Sequence, residues 1–158
     1  MTFGWCEIKL KFDLVVNAPI DKVWNAIADW TSQGDWMLAT RVDVIEDRGG
    51  VGTKIAAFTG VIPSRGILGI WDQMEVTRWE PPYRCDVIHY GRWLRGPGYF
   101  LLTATGTNQT QFTWSEELEG AIASALKPGL AIGVWLSLRR FARLVARQSP
   151  QGFTKNWG

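Results

Sequence analysis

Residues 6–16 alternate without a break: Ile8, Leu10, Phe12, Leu14 and Val16 share one phase, and Glu7, Lys9, Lys11 and Asp13 share the other. A two-residue period over that length predicts a strand with one buried face. Asn17-Ala18-Pro19 reads as a helix entry, and Ile20, Val23, Trp24 and Ile27 then recur at helical spacing. Residues 29–32 form a break, and a second short helix is expected over 32–37. From 41 to 119 the pattern is strand and turn, repeated. Val42 and Val44 mark one strand, Gly49-Gly50 a turn, and 52–60 the next strand. The segment 61–69 reads as a loop with apolar residues. Strands are expected at 70–79, 84–92, 98–105 and 110–118, with turns at Pro81-Pro82, Gly96-Pro97-Gly98 and 106–109. Links this short predict antiparallel pairing. Residues 122–148 are helical, with Leu126, Leu130, Val134, Leu138, Phe141 and Val145 as an apolar stripe and Pro128 at an opening or kink. Around 130–136 the helix is apolar on nearly every side, so wide coverage is expected there.

The chain thus reads as an α+β domain over 1–148 with a tail at 149–158. A curved, seven-stranded antiparallel sheet would wrap a long C-terminal helix, with two short helices after the first strand. A sheet gripping one helix rarely fills the enclosed space, so a cavity between them is expected.

The segments NAPIDKVWNAIADWTSQGDWM (17–37), Val51-Gly52-Thr53, DQMEVTRWEPPYRCDVIHYGRWLRGPGYF (72–100) and TQFTWSEEL (110–118) carry a resemblance. In this order they resemble the helix-grip fold of the SRPBCC (START and birch-pollen-allergen) superfamily. More narrowly, the chain looks like the bacterial polyketide cyclase/dehydrase and lipid-transport family. The resemblance implies the fold. The superfamily includes lipid and sterol carriers, hormone binders and aromatic-ring cyclases, so it implies no single catalytic motif.

Composition narrows the function classes. Lys plus Arg is 17 and Asp plus Glu is 15, a net charge of +2, which gives no case for nucleic acid. Arg139, Arg140, Arg143 and Arg147 are either an anion patch or a solvated helix face. Cys6 and Cys85 have neither zinc nor redox-pair spacing and are expected as free thiols. No secretory segment or membrane-spanning run is visible in the sequence, so a cytoplasmic protein is expected. The 158 residues include 10 Trp, which suggests an aromatic core or a ring-lined cavity. Trp5, Trp71 and Trp79 fall on the outward strand phase, and Trp114 on the inward one.

The pleat sorts the cavity-facing residues. Met74 and Val76 set the inward phase of their strand, which also carries Asp72. Val87 and Cys85 set the next, with His89; Phe100 and Leu102 follow; Phe112 and Trp114 set the last, with Glu116. The helix contributes Leu130 and Val134, and Trp36 and Trp93 stand near the mouth. Met37, Ile62, Ile67, Leu68, Leu94 and Leu126 are further mouth residues, gating the cavity or merely capping the core. The proline turn is expected to set Trp79 beside Arg84 and so Met74 opposite His89. The following hairpins would place His89 near Phe100 and Phe100 near Glu116, one row across the sheet. His89 and Glu116 are then the candidate polar anchors and the candidate acid/base pair; the alternative is a satisfied core histidine and an outward-reaching glutamate.

The expected function is binding of a hydrophobic small molecule, aromatic, polyketide-like or lipid-like. The alternatives are a cyclase or dehydratase using the same cavity, and a protein-interaction module. No cofactor, no metal and no nucleic-acid partner is implied, and the oligomeric state is left open.

Overall fold

The first strand runs as its alternation requires. In the computed structural model, which describes residues 6–120 and 123–148, β1 (Cys6–Val16) buries Ile8, Leu10 and Val16 and turns Lys9 and Lys11 to solvent. Helix α1 (Ile20–Ile27) starts after Pro19 and buries Val23, Trp24 and Ile27, one stripe of a two-turn helix. A 3-10 turn (Trp30–Ser32) runs directly into α2 (Gln33–Trp36). Six strands follow: β2 (Thr40–Glu46), β3 (Lys54–Ile62), β4 (Ile67–Glu80), β5 (Arg84–Tyr90), β6 (Arg95–Gly106) and β7 (Gln109–Gly120). Helix α3 (Ala123–Arg147) closes the fold. The sheet order is β1-β7-β6-β5-β4-β3-β2, with every pair antiparallel. This is the helix-grip arrangement.

Three expected boundaries shift. Residues 61–69 are mostly strand: β3 and β4 extend toward each other, leaving a 3-10 turn (Pro63–Arg65) and Gly66 at φ +64°. Gly96-Pro97-Gly98 lies inside β6 rather than ending a hairpin, because the β5–β6 link closes earlier, at the pair Tyr90–Arg95. Gly96 has φ +130°, and a Cβ there would lie 2.0 Å from the Glu117 carbonyl oxygen, so only glycine passes. The third shift is in β4. The register jumps between Val76 and Arg78, so Thr77 is an extra, bulged residue. Trp79 therefore pairs with Cys85, not Arg84, and turns inward against Trp24, with ring centroids 5.0 Å apart. That corrects its expected outward phase. Beyond the bulge the register returns to Met74 opposite His89, as expected. Trp71 does lie on the outer face, packed on Phe58 and under the Arg41 guanidinium.

The inner face and α3 enclose three apolar clusters. The largest joins α1, α2, the middle strands and the C-terminal half of α3 through Leu138, Phe141 and Val145. A second groups Ile8, Leu10, Leu94 and Leu118 under Leu126 and Leu130. The third is Val42, Ile55 and Ala57 with Met74. The wide coverage expected of 130–136 does not occur. Ile132 is 61 % exposed, and Trp135 and Leu136 are also largely exposed. The sheet grips one side of α3, so the opposite apolar side stays outside, where the Arg139 guanidinium stacks on Trp135 at 4.8 Å. Arg139, Arg140, Arg143 and Arg147 are all exposed. Among the described residues no helix is long and apolar enough to cross a membrane. Trp5, Trp157 and the tail 149–158 lie outside the described residues.

Candidate functional site

Where the three clusters meet, the side chains do not close the space. A cavity of about 140 Å³ remains between the sheet and α3. That is close to the ~150 Å³ engineered apolar cavity known to admit benzene. Met74, Val87 and Phe100 line it from the middle strands, Trp114 and Glu116 from β7, and Leu130 and Val134 from α3. His89 and Asp72 complete its polar wall. The remaining sequence-nominated residues sit elsewhere. Val76, Leu102, Phe112 and Trp36 do not line the cavity and are packed in the large core cluster, where Trp36 meets Phe141 at 5.0 Å. Trp93 is not in the wall either; it is partly exposed beneath the Arg92 guanidinium at 5.2 Å. Of the expected mouth residues, Met37 and Leu94 reach the wall, whereas Ile62, Ile67 and Leu68 are exposed away from it. Leu126 packs on the second cluster.

The polar wall is built by register. Ala57 opposes Asp72, and Met74 opposes His89, so Asp72 and His89 are diagonal neighbours on adjacent strands. The His89 Nδ1 lies 2.9 Å from both carboxylate oxygens of Asp72. An ionised carboxylate only accepts, so Nδ1 carries the proton and donates it. Nε2 then faces the cavity, bare when the ring is neutral and protonated when it is charged. It is buried and has no hydrogen-bond partner.

Glu116 approaches that nitrogen from β7, its Oε1 4.0 Å from Nε2. The expected row of His89, Phe100 and Glu116 is not the one formed. His89 pairs with Gly96, Phe100 pairs with Cys85 and Trp114, and the row through Glu116 is Val87–Gly98–Glu116. The early closure of the β5–β6 hairpin sets Gly96, rather than Phe100, opposite His89. Even so His89 and Glu116 come together, because the residue between them is glycine. A Cβ on Gly98 would sit 3.1 Å from Nε2. With nothing there, the imidazole on β5 looks over β6 toward the carboxyl on β7.

Burial pushes the Glu116 carboxyl above its ordinary value; the nearby His89 charge opposes this, and the Asp72 charge adds to it. For His89, burial favours the neutral ring and is the largest single influence. The charge and hydrogen bond of Asp72, with the charge of Glu116, together outweigh it and hold the pKa above its ordinary value. Glu116 and His89 thus both keep protons to higher pH than they would in water, and they face one another across a gap. Cys85 also lines the cavity, but burial drives its thiol up to about 12, so it is no nucleophile near neutral pH.

The lining also carries polar groups that the sequence reading missed: Gln33, Thr40, Thr59 and Ser137. Each bonds within the protein. Thr40 Oγ1 meets Thr59 Oγ1 at 2.9 Å, Gln33 Nε2 donates to the Ile27 carbonyl, and Ser137 Oγ donates to the Gly133 carbonyl while accepting from the Leu38 N–H. The buried side-chain nitrogens that line the cavity without a partner are instead His89 Nε2 and Trp114 Nε1. Among the described residues no group of three or more His, Cys, Asp or Glu side chains is placed to hold a metal ion.

No family model matches the chain, and no curated protein matches it. Solved structures do. The aromatase/cyclase ZhuI from Streptomyces sp. R1128 superposes with a TM-score of 0.73 at 14% identity, over 94% of this chain and 100% of that one. A protein from Thermus thermophilus superposes at 0.69 and 13% identity, over 87% and 97%. Norcoclaurine synthase from Thalictrum flavum, in complex with dopamine and hydroxybenzaldehyde, superposes at 0.67 and 15% identity, over 92% and 91%. At such identities the likeness is one of fold: the chain has the helix-grip fold that these structures share.

Proposed function

We propose that the chain binds a small hydrophobic molecule, ring-sized or bearing a ring, in the cavity between the sheet and α3. One observation carries this reading: an apolar cavity of about 140 Å³ whose polar wall holds buried nitrogens with no protein partner. Buried polar atoms without partners are costly, and a ligand that pairs with them gains the difference. The apolar remainder supplies affinity through burial. Ligand binding and ring chemistry are both attached to this fold in the solved structures above. The test is native mass spectrometry of the protein purified from its own host, beside a Val134→Phe variant that fills the cavity. A small molecule retained by the first and absent from the second supports the proposal. An empty wild-type protein that also binds no small aromatic compound in calorimetry contradicts it.

A second reading is catalytic: proton transfer on the bound molecule, as in a cyclase or dehydratase. It is favoured by the Asp72–His89 hydrogen bond with Glu116 facing the other ring nitrogen. Asp72 would orient the imidazole, and His89 and Glu116 would exchange a proton with the ligand. The two readings separate on recovery of the ligand. An enzyme returns a chemically altered molecule and loses that ability in His89→Gln; a carrier returns it unchanged.

A further inference from the structure

His89 and Glu116 constrain which functional group the ligand brings. We propose that the ligand carries a hydroxyl on an aromatic ring, and that this hydroxyl bridges His89 Nε2 and Glu116 Oε1. The inference rests on the cavity-binding reading and specifies its ligand class.

The gap decides the size of the bridging group. With Nε2 and Oε1 4.0 Å apart, one oxygen seated beside both reaches each at about 2.8 Å, ordinary hydrogen-bond length. Two bridging atoms in line would need a wider gap. Gly98 keeps the space beside Nε2 open, since a Cβ there would lie 3.1 Å from it.

The protons decide the chemistry. Asp72 fixes the proton on Nδ1. If the ring is neutral, Nε2 accepts, and a protonated Glu116 donates. If the ring is charged, Nε2 donates, and an ionised Glu116 accepts. In either arrangement the bridging atom must donate once and accept once. A hydroxyl does both from a single atom. An ether or carbonyl only accepts and leaves one buried group unpaired. A carboxylate only accepts, and it takes a charge into the buried site. An ammonium only donates and takes a charge into a cavity whose remaining walls are largely apolar.

The aromatic ring follows from the walls. Phe100, Trp114 and Trp30 line the cavity, and its volume matches one ring. The indole N–H of Trp114, which lacks a partner, is a further donor to the same oxygen or to a second substituent.

The test is calorimetric titration of the full chain with phenol, toluene, anisole and benzylamine. Phenol is expected to bind at least about ten-fold more tightly than each of the others. That preference should collapse in Glu116→Leu and in Gly98→Ala, where toluene still binds. If toluene or anisole binds as well as phenol, the hydroxyl bridge is wrong and the cavity reading stands. Benzylamine matching phenol also overturns the bridge, as does an unchanged phenol preference in a folded Glu116→Leu or Gly98→Ala protein. If none of the four binds, the cavity reading falls with it.

Discussion

Gly98 and His89 stand in a relation set by an absent atom: a Cβ on Gly98 would lie 3.1 Å from His89 Nε2, the ring nitrogen that faces Glu116 Oε1 at 4.0 Å. Three strands thus cooperate in one polar site, and the middle one contributes by having no side chain. Gly98 has no positive φ to protect, so alanine is tolerable to the backbone there. Gly98→Ala is expected to fold and to lower phenol affinity roughly ten-fold, an effect of about 1.4 kcal/mol. Calorimetry beside a thermal melt separates this from loss of fold.

His89 is the chain's one histidine, so its titration can be read without overlap by NMR. Its pKa is expected above the ordinary 6.5. Asp72→Asn removes the charge that sustains it, leaving burial to favour the neutral ring. The His89 pKa should then fall. An unchanged value would mean that Asp72 does not act on the ring as the geometry implies.

Stability should decline as pH rises. Glu116 has a folded pKa above its ordinary 4.5, and His89 one above its ordinary 6.5. Between the ordinary and the raised value of each group, the folded chain holds more protons than the unfolded chain. Stability contributed by each is therefore complete below the ordinary value and lost as pH climbs through the raised one. Glu116→Gln removes the first of these contributions, so its melting temperature should fall less steeply above pH 4.5. A slope as steep as wild type would contradict the assignment.

Cys85 offers a control on the cavity's chemistry. Its thiol is buried and raised to about 12. In a Cys6→Ser background, iodoacetamide at about pH 8 should modify it only on the timescale of unfolding. Rapid modification of the native protein would mean the cavity wall is open to reagents and the thiol less protected than its burial implies.

The first strand was legible because one face is buried and the other solvated, which stamps the two-residue period on residues 6–16. Asp72, His89 and Glu116 were legible as inward by the same logic. Their mutual distances were not, since phase says nothing about register between strands. Gly96-Pro97-Gly98 has turn composition, yet it lies within β6, where Gly96 passes the Glu117 carbonyl and Gly98 makes room for an imidazole. The bulge at Thr77 left no mark in composition. It turned Trp79 inward, and it also cancelled the misplaced Trp79–Arg84 pair, so that Met74 still met His89. On α3, apolar residues all round suggested full burial, but the sheet embraces a single side and leaves Ile132 and Trp135 outside.

The most direct measurement is the ring nitrogen NMR spectrum of His89 with and without phenol. The free protein should show the proton on Nδ1, held by Asp72. Saturating phenol should shift Nε2 strongly and leave Nδ1 nearly in place. Phenol binding that leaves both ring nitrogens unmoved would contradict the account.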